Sequence, residues 1–126
     1  FASSFSAKLS DTFSSEIGKR FGKRTFLITT LKSVSPGTEG AISIEGSIAG
    51  LLGSLIMTAF MLSLSIISGL AVAFIVFLSG YLATFLESYI GAVMQNKIKW
   101  MTNELVNSIQ TSLAAIISMF LYLNFV

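Results

Sequence analysis

The hydrophobic pattern divides the chain into long apolar segments separated by two polar connections. No Asp, Glu, Lys or Arg occurs from Gly46 to Leu86. A single helix of that run would be roughly 60 Å long, about twice the hydrocarbon thickness of a bilayer. Two spans folded back on each other, about 46–65 and 69–86, fit better. The last apolar run predicts a further span over about 104–125.

The first segment, about 1–18, has a helical pattern that is unusual for a span. Small residues recur at three- and four-residue spacings and form a narrow stripe suited to close helix packing. Lys8, Asp11 and Glu16 lie in the same helix. Charges inside such a helix are costly and usually face a protein interior or a wet cavity.

Composition supports a membrane protein. Of the 126 residues, 53% are hydrophobic and only 11% are charged, whereas soluble domains carry about 25% charged residues. The chain starts without an initiator methionine, and its first ten residues resemble the interior of a helix. We therefore expect an all-α integral membrane protein, a helical bundle of about four transmembrane helices in one membrane domain, 1–126. We also expect it to be the C-terminal part of a larger polytopic protein.

Histidine and cysteine are both absent from the chain. Their absence excludes thiolate and imidazole metal sites, disulfides, and nucleophilic catalysis based on either residue within this segment. Any chemistry must come from carboxylates, amides, hydroxyls, Lys and Arg.

The cations predict the topology. Five of the eight lie between Lys19 and Lys32, in the polar connection 19–45, and two more lie in the second connection, 87–103. If the two central spans form a hairpin, both connections lie on one membrane face. Seven of the eight cations then share that face, as the positive-inside tendency expects.

The stretch LKSVSPGTEGAISIEGSIAG, at 31–50, resembles a phosphate-binding loop in composition. Gly37 and Gly40 let backbone amides approach an anion, Ser33 and Thr38 add hydroxyl donors, and Lys32 supplies a positive charge. A helix that begins just after the loop would present its N-terminus to the same anion. The spacing is not that of a Walker loop. The alternative is a flexible loop with helix-capping residues.

Carboxylates provide a candidate metal site. Asp11 and Glu16 are rotated by about 140° from each other on an ideal helix. One Asp and one nearby Glu can hold a hard divalent cation through oxygen ligands when phosphates supply the rest. The alternative is that Asp11 pairs with Lys8, three residues earlier on the same face.

Further polar residues flank the last two spans. Glu87 ends one span, and Asn103, Glu104 and Asn107 begin the next, with the two asparagines on one helix face. Asn103 and Glu104 are also ordinary N-terminal helix residues. The basic stretch KRFGKR, at 19–24, is alternatively a contact for anionic lipid. Because the topology brings all these segments to one face, we predict a membrane-embedded phosphate site with a divalent metal, open to that face. Lateral access between spans would suit a substrate with a polyphosphate head and a lipid tail.

Four stretches carry a family resemblance: DTFSSEIG (11–18), KSVSPGTEGAISIEGSIAG (32–50), ESYIGAVMQ (87–95) and NELVN (103–107). In order and spacing they resemble the integral-membrane family that contains plant phytyl-phosphate kinase and an animal transmembrane protein of unknown function. More distantly, their order resembles that of the nucleotide-dependent polyprenol kinases, phytol kinase and dolichol kinase.

The resemblance implies phosphoryl transfer from a nucleoside triphosphate, CTP, to phytyl monophosphate. The product, phytyl diphosphate, would feed tocopherol and phylloquinone synthesis in a chloroplast membrane, either envelope or thylakoid. Mg²⁺ or another divalent cation would be the cofactor. The implied partners are the lipid-like prenyl phosphate, membrane lipids, and missing N-terminal spans or other membrane subunits, with no nucleic acid.

The resemblance also implies roles for matching positions. Catalytic roles fall to Asp11, Lys32 and Glu104, and metal binding falls to Asp11 and Glu16. The implied nucleotide- and phosphate-binding residues are Lys19, Lys32, Ser33, Gly37, Thr38 and Gly40. The implied supporting residues are Glu87, Asn103 and Asn107. Glu39 departs from the neutral Asn common in the family, and a negative charge there suits a phosphate site only if it binds metal.

Two other interpretations remain. In the first, the chain is a non-catalytic membrane subunit or lipid-binding module whose polar groups pair internally and make a bundle rigid. In the second, it is a transporter that couples transport to buried carboxylates. The two central spans carry no charges near the middle of the bilayer, which disfavours the transporter.

Overall fold

The computed structural model describes residues 1–95 and 97–126 as a helical bundle with a small β-hairpin at one end. In chain order the elements are α1 (Ala2–Phe21), β1 (Thr25–Leu27), β2 (Ala41–Ser43), α2 (Ile44–Ser63), α3 (Leu70–Ile90) and α4 (Asn103–Phe125). A π-helical turn, Gly91–Gln95, extends α3. The expected helical membrane bundle is confirmed, and the hairpin is an addition that the hydrophobic pattern did not predict.

Three of the four helices in the described part of the chain are long and apolar enough to cross a membrane. They are α2, α4, and α3 together with its π-helical turn. The remaining helix, α1, is also 20 residues long, but its buried side chains are Ser3, Ser6, Ala7 and Ser10. It packs against the other three helices. The bundle is therefore three apolar spans around one serine-rich helix.

The close packing of α1 against α2 depends on three glycines of α2. A Cβ atom on Gly46 would lie 2.7 Å from the carbonyl oxygen of Ser14, and one on Gly53 would lie 2.8 Å from that of Leu9. One on Gly50 would lie 3.1 Å from the Cβ of Ser14. Small residues at this spacing let two backbones approach closely in a membrane. The small-residue stripe of α1 lies at this interface.

Buried hydroxyls connect α1, α2 and α3 at mid-bundle. The hydroxyls of Ser6 and Ser54 lie 2.7 Å apart, and Ser54 Oγ donates to the carbonyl oxygen of Phe77 at 2.7 Å. The fully buried Gln110 of α4 donates through Nε2 to the carbonyl oxygen of Ala7 at 3.3 Å. Interhelical hydrogen bonds of this kind contribute about 1 kcal/mol each. They fix the register of α1 against its neighbours.

The two central spans form the predicted hairpin. Their connection, 64–69, contains two residues with positive φ, Ser65 at 57° and Gly69 at 85°. Because α2 and α3 run in opposite directions, the beginning of α2 and the end of α3 lie at the same end of the bundle. Residues of both polar connections line one cavity there, so the two connections share one end of the bundle.

The connection expected as a polar nucleotide loop over 19–45 has more structure than a loop. α1 continues to Phe21, and β1 and β2 then pair antiparallel with Thr25 opposite Ser43. The segment between the strands folds back on β1, where Val34 N donates to the carbonyl oxygen of Thr25 at 2.9 Å. The hairpin therefore holds the glycine-rich segment against the helix ends.

Candidate functional site

A polar cavity of about 360 Å³ lies at the end of the bundle where α1 and α3 end and α2 and α4 begin. Helices α1, α3 and α4, Thr25 of β1 and the segment 36–43 contribute to its wall, and this segment ends at Ser43, the residue that caps α2. The polar and charged residues that line it are Lys8, Asp11, Thr12, Ser14, Ser15, Glu16, Lys19, Thr25, Thr38, Glu39, Ser43, Glu87, Ser88, Asn103 and Asn107.

The glycine-rich loop forms one side of the cavity through two consecutive turns. Thr38 N donates to the carbonyl oxygen of Ser35 at 3.2 Å, and Ala41 N donates to that of Thr38 at 3.0 Å. Gly37 and Gly40 adopt φ values of 88° and 76°. Glycine adopts positive φ values of this kind readily, so both turns suit the glycines that the loop contains.

Gly40 also docks the loop on α3. A Cβ atom at this position would lie 2.7 Å from the carbonyl oxygen of Ser88 and would overlap Ala92. The carbonyl oxygen of Gly40 accepts a hydrogen bond from Ile28 N at 3.0 Å. Because glycine has no side chain, the loop can pack closely against the end of α3.

The beginning of α2 and the start of the hairpin meet at the cavity wall. Ser43 caps α2 by accepting a hydrogen bond from Gly46 N at 3.0 Å. Its strand partner Thr25 is buried, and Thr25 Oγ1 has no hydrogen-bond partner within the described protein. A helix N-terminus attracts negative charge. A buried hydroxyl beside it offers a donor to a phosphate oxygen.

Lys8 bridges two helices at the cavity. Its Nζ atom donates to Asp11 Oδ2 at 3.1 Å and to Asn107 Oδ1, on α4, at 2.8 Å. The Lys8–Asp11 pair that formed the alternative interpretation therefore exists, and both residues also line the cavity. A lysine ammonium has three N–H donors. One of them remains for a bound anion.

The carboxylates differ in their surroundings. The Asp11 side chain is 15% exposed, whereas that of Glu16 is 61% exposed and lies 3.9 Å from Lys19 Nζ. Glu87 is within electrostatic range of both Asp11 and Glu39. Three carboxylates from α1, the loop and α3 thus face a common region. Because like charges repel at short range, this region favours a bound cation.

The residues fit a divalent metal that is shared with a substrate. Within residues 1–95 and 97–126, no three acidic side chains come close enough to form a metal site from protein alone. Mg²⁺ usually takes one or two carboxylates from a protein and completes its shell with substrate phosphates and water. Asp11, with Glu87 or Glu39, provides such a partial set. Glu16, the partner expected from sequence, is the more exposed carboxylate.

Nine of the twelve predicted site residues line the cavity. They are Asp11, Glu16, Lys19, Gly37, Thr38, Gly40, Glu87, Asn103 and Asn107. Three others, Lys32, Ser33 and Glu104, lie outside its lining.

The β1–β2 hairpin keeps Lys32 and Ser33 outside the cavity lining, and Glu104 lies in the capped first turn of α4. Lys32 accepts a backbone hydrogen bond from Leu27 N at 3.0 Å, and Ser33 forms an isolated bridge with Phe26. Both are exposed on the outer part of the hairpin. Glu104 is exposed in the first turn of α4, which Thr102 caps. The cations at the cavity are therefore Lys8 and Lys19 rather than Lys32.

Some lining residues gave no sequence signal. Lys8 was interpreted only as a partner for Asp11, although its spacing placed it on the same helix face. Thr25 and Ser43 reach the cavity because β1 and β2 pair. Strands of three residues leave too short a pattern to be recognised from sequence.

These features define an integral membrane protein with a polar cavity of about 360 Å³ at one end of its helical bundle. The chain belongs to the DUF92 family of integral membrane proteins, whose profile matches residues 1–115. This membership confirms the family resemblance that the four sequence stretches indicated.

Three relatives are similar over nearly the whole chain. An uncharacterized membrane protein of Synechocystis sp. is 50% identical over 94% of this chain and 45% of its own length. Protein VTE6, chloroplastic, of Arabidopsis thaliana is 48% identical over 94% of this chain and 36% of its own. An uncharacterized membrane protein of Methanocaldococcus jannaschii is 34% identical over 97% of this chain and 50% of its own.

The chain thus spans between about a third and a half of the length of the curated relatives that it matches. No solved structure matches the chain.

Proposed function

We propose that this chain forms the phosphoryl-transfer site of a prenyl-phosphate kinase. The donor is a nucleoside triphosphate, CTP by family resemblance, and the acceptor is phytyl monophosphate. The product is phytyl diphosphate, a precursor for tocopherol and phylloquinone. Similarity to a chloroplastic plant protein supports a chloroplast membrane as the location.

The observation that carries the proposal is the composition of one cavity. Lys8, Asp11 and Asn107 are joined by hydrogen bonds at its wall, and the glycine loop and Ser43, which caps α2, line the same cavity. Cations, backbone donors and carboxylates in one 360 Å³ space are what a polyphosphate with a divalent metal requires.

The basic and amide groups neutralise and orient the phosphates. Lys8 is fixed by Asp11 and Asn107, so its remaining donor has a defined direction. Lys19, at the end of α1, supplies a second positive charge at the rim. Fixed donors of this kind stabilise charge that develops on the transferring phosphoryl group. Asn103 and Asn107, on one face of α4, add amide groups.

The reaction itself needs little covalent chemistry from the protein. An oxygen of the prenyl phosphate attacks the terminal phosphorus of the nucleotide. The bond from that phosphorus to the bridging oxygen breaks, and the nucleoside diphosphate leaves with the electron pair. The acceptor oxygen is already ionised, so no general base is required, which suits a chain without histidine. The task of the cavity is to align the two phosphates.

Mg²⁺ would be held by Asp11 together with Glu87 or Glu39. When bound, it supplies positive charge to the nucleotide phosphates. This assignment also gives Glu39, the departure from the family pattern, a role beside a phosphate site. Lys32, Ser33 and Glu104 have no part in the proposed mechanism because they lie outside the cavity lining.

The test is a transfer assay with the full-length protein in lipid nanodiscs, using labelled CTP, Mg²⁺ and phytyl monophosphate. We expect label in phytyl diphosphate, and much less of it in Asp11→Asn at the same Mg²⁺ concentration. Glu104→Gln is the matched control, because Glu104 is exposed and lies outside the cavity lining. If a stably folded parent transfers no phosphate from any nucleotide to any prenyl phosphate, the kinase proposal fails. A non-catalytic membrane subunit then becomes the better interpretation.

A further inference from the structure

A second cavity, of about 290 Å³, lies beside the polar one and is almost entirely apolar. Phe26 and Ile42 of the hairpin form its upper wall, Ile44, Ile48 and Leu51 of α2 form its floor, and Tyr81 of α3 closes one side. Nothing in the phosphoryl-transfer mechanism uses these residues. An apolar groove at the edge of a polar site is the arrangement that a ligand with one charged and one apolar end requires.

The two cavities adjoin each other. Ile42 and Ser43 line both of them. Ser43 is also the cap of α2, so the point where the cavities meet is the helix N-terminus that faces the polar side. A phosphate held there would have any attached hydrocarbon at the entrance of the groove.

The groove leads from the polar end of the bundle into the membrane-spanning part. Its α2 residues, Ile44, Ser47, Ile48 and Leu51, follow helical spacing and share one face. From the first to the last, the helix rises by roughly 10 Å. Since α2 is one of the three candidate spans, this face passes from the cavity toward the bilayer interior.

The groove is also open sideways. Ile44 is 69% exposed and Ile48 is 57% exposed, although both lie in its floor. Within the described part of the chain nothing covers these two side chains, so a ligand can reach this side of the groove. The opposite side of the groove is rigid, because the Tyr81 ring packs edge-on against Phe85 with ring centroids 5.0 Å apart. A hydrocarbon chain that enters from the open side can therefore rest against a fixed wall.

We propose that this groove binds the phosphate-proximal part of the isoprenoid chain of a prenyl phosphate whose head group occupies the polar cavity. The identity of the ligand rests on the proposed function, whereas the groove and its position beside the cavity do not. Because the groove is much shorter than a phytyl chain, the distal part of the chain remains among membrane lipids. The site therefore recognises the first isoprene units and tolerates variation in total chain length.

The test uses a prenyl phosphonate that carries a photoreactive diazirine on its first isoprene unit. The full-length protein in nanodiscs is irradiated with this probe, and the labelled residues are mapped by mass spectrometry. We expect labels on Ile44–Leu51 and at Tyr81, and we expect phytyl phosphate to prevent them. Mapping on the unchanged protein does not depend on the folding of any variant.

A pair of variants sharpens the result. Ile48→Trp fills the groove, whereas Leu52→Trp adds the same volume on a neighbouring, 47% exposed position outside it. We expect Ile48→Trp to reduce labelling at least tenfold and Leu52→Trp to leave it nearly unchanged. KM for phytyl phosphate should rise with Ile48→Trp, while KM for the nucleotide should stay the same.

The outcomes separate the two proposals. Labels on α4 or another lipid-facing surface would overturn the groove assignment even in an active kinase. The same holds if labels in the groove persist in excess phytyl phosphate, since the groove would then bind bilayer lipid or another helix without selection. Specific labelling in a protein that transfers no phosphate would support the groove and reject the kinase.

Discussion

Lys8 of the first helix and Asn107 of the last are joined by a 2.8 Å hydrogen bond at the polar cavity. The same ammonium group contacts Asp11 at 3.1 Å. One side chain thus connects two helices that are distant in sequence and positions the most enclosed carboxylate of α1. A lysine in this place both shapes the site and contributes its charge.

The first prediction concerns which lysine binds the phosphates of the substrates. Lys8→Ala should lower kcat by about 10²-fold or more, because a fixed donor to the transferring phosphoryl group is lost. Lys32→Ala should leave kcat nearly unchanged, because Lys32 is exposed on the hairpin outside the cavity lining. Steady-state transfer assays on the two variants provide the comparison.

Thermal unfolding of both variants serves as the control for folding. A large loss of kcat in well-folded Lys32→Ala, with normal turnover in Lys8→Ala, would restore the assignment made from sequence and contradict the one made from geometry.

The second prediction concerns the metal. Asp11→Asn should raise the Mg²⁺ concentration needed for half-maximal transfer by about tenfold or more, since a carboxylate ligand is lost. Glu16→Gln should change it little, because Glu16 is 61% exposed and lies beside Lys19. Mg²⁺ titrations at saturating nucleotide measure this difference, and equal shifts in both variants would favour the Asp11–Glu16 metal pair instead.

The third prediction separates two glycines of the loop. Gly40→Ala should lower the free energy of unfolding by about 2–4 kcal/mol. The alanine side chain would overlap the end of α3, and alanine at a positive φ is itself strained. Gly37→Ala should cost only about 1–2 kcal/mol, since its Cβ would meet nothing within 4 Å. Denaturation in mild detergent, followed by circular dichroism, compares the two. An equal decrease in the free energy of unfolding in both variants would mean that the loop does not pack against α3.

The fourth prediction concerns topology. The chain has no cysteine, so single cysteines provide unique labels once any elsewhere in the full-length protein are replaced. Thr30→Cys and Lys99→Cys should react with an impermeant maleimide from the same side of sealed vesicles. Ser68→Cys, in the turn between α2 and α3, should react only from the other side. Labelling of all three from one side would rule out the α2–α3 hairpin as a pair of spans.

Much of the fold was predictable because membrane spans appear in a sequence as long apolar runs without charged residues. The charge-free run from Gly46 to Leu86 is too long for one span, so a hairpin was the simple solution. That hairpin then placed both polar connections at one end, where nine of the twelve residues that the family resemblance implied line one cavity. Long-range placement came from topology and not from any contact between side chains that the sequence revealed.

The β-hairpin was not predictable by the same means. Its strands have three residues each, and Gly40, just before β2, approaches the end of α3 closely. Without the hairpin, Lys32 and Ser33 were expected beside the glycines that follow them in sequence. In the structure the chain reverses between these residues and Gly37, which separates the lysine from the loop.

The serine-rich composition of α1 also determines how the protein enters the membrane. A helix with serines on its buried face and charges along its length partitions poorly into lipid by itself. Its glycine-lined docking surface belongs to α2, which is synthesised later. We expect α1 to remain near the membrane surface or in the translocation machinery until α2 emerges, and then to insert together with it. Assembly of the bundle and integration into the bilayer would thus be one coupled event during biosynthesis.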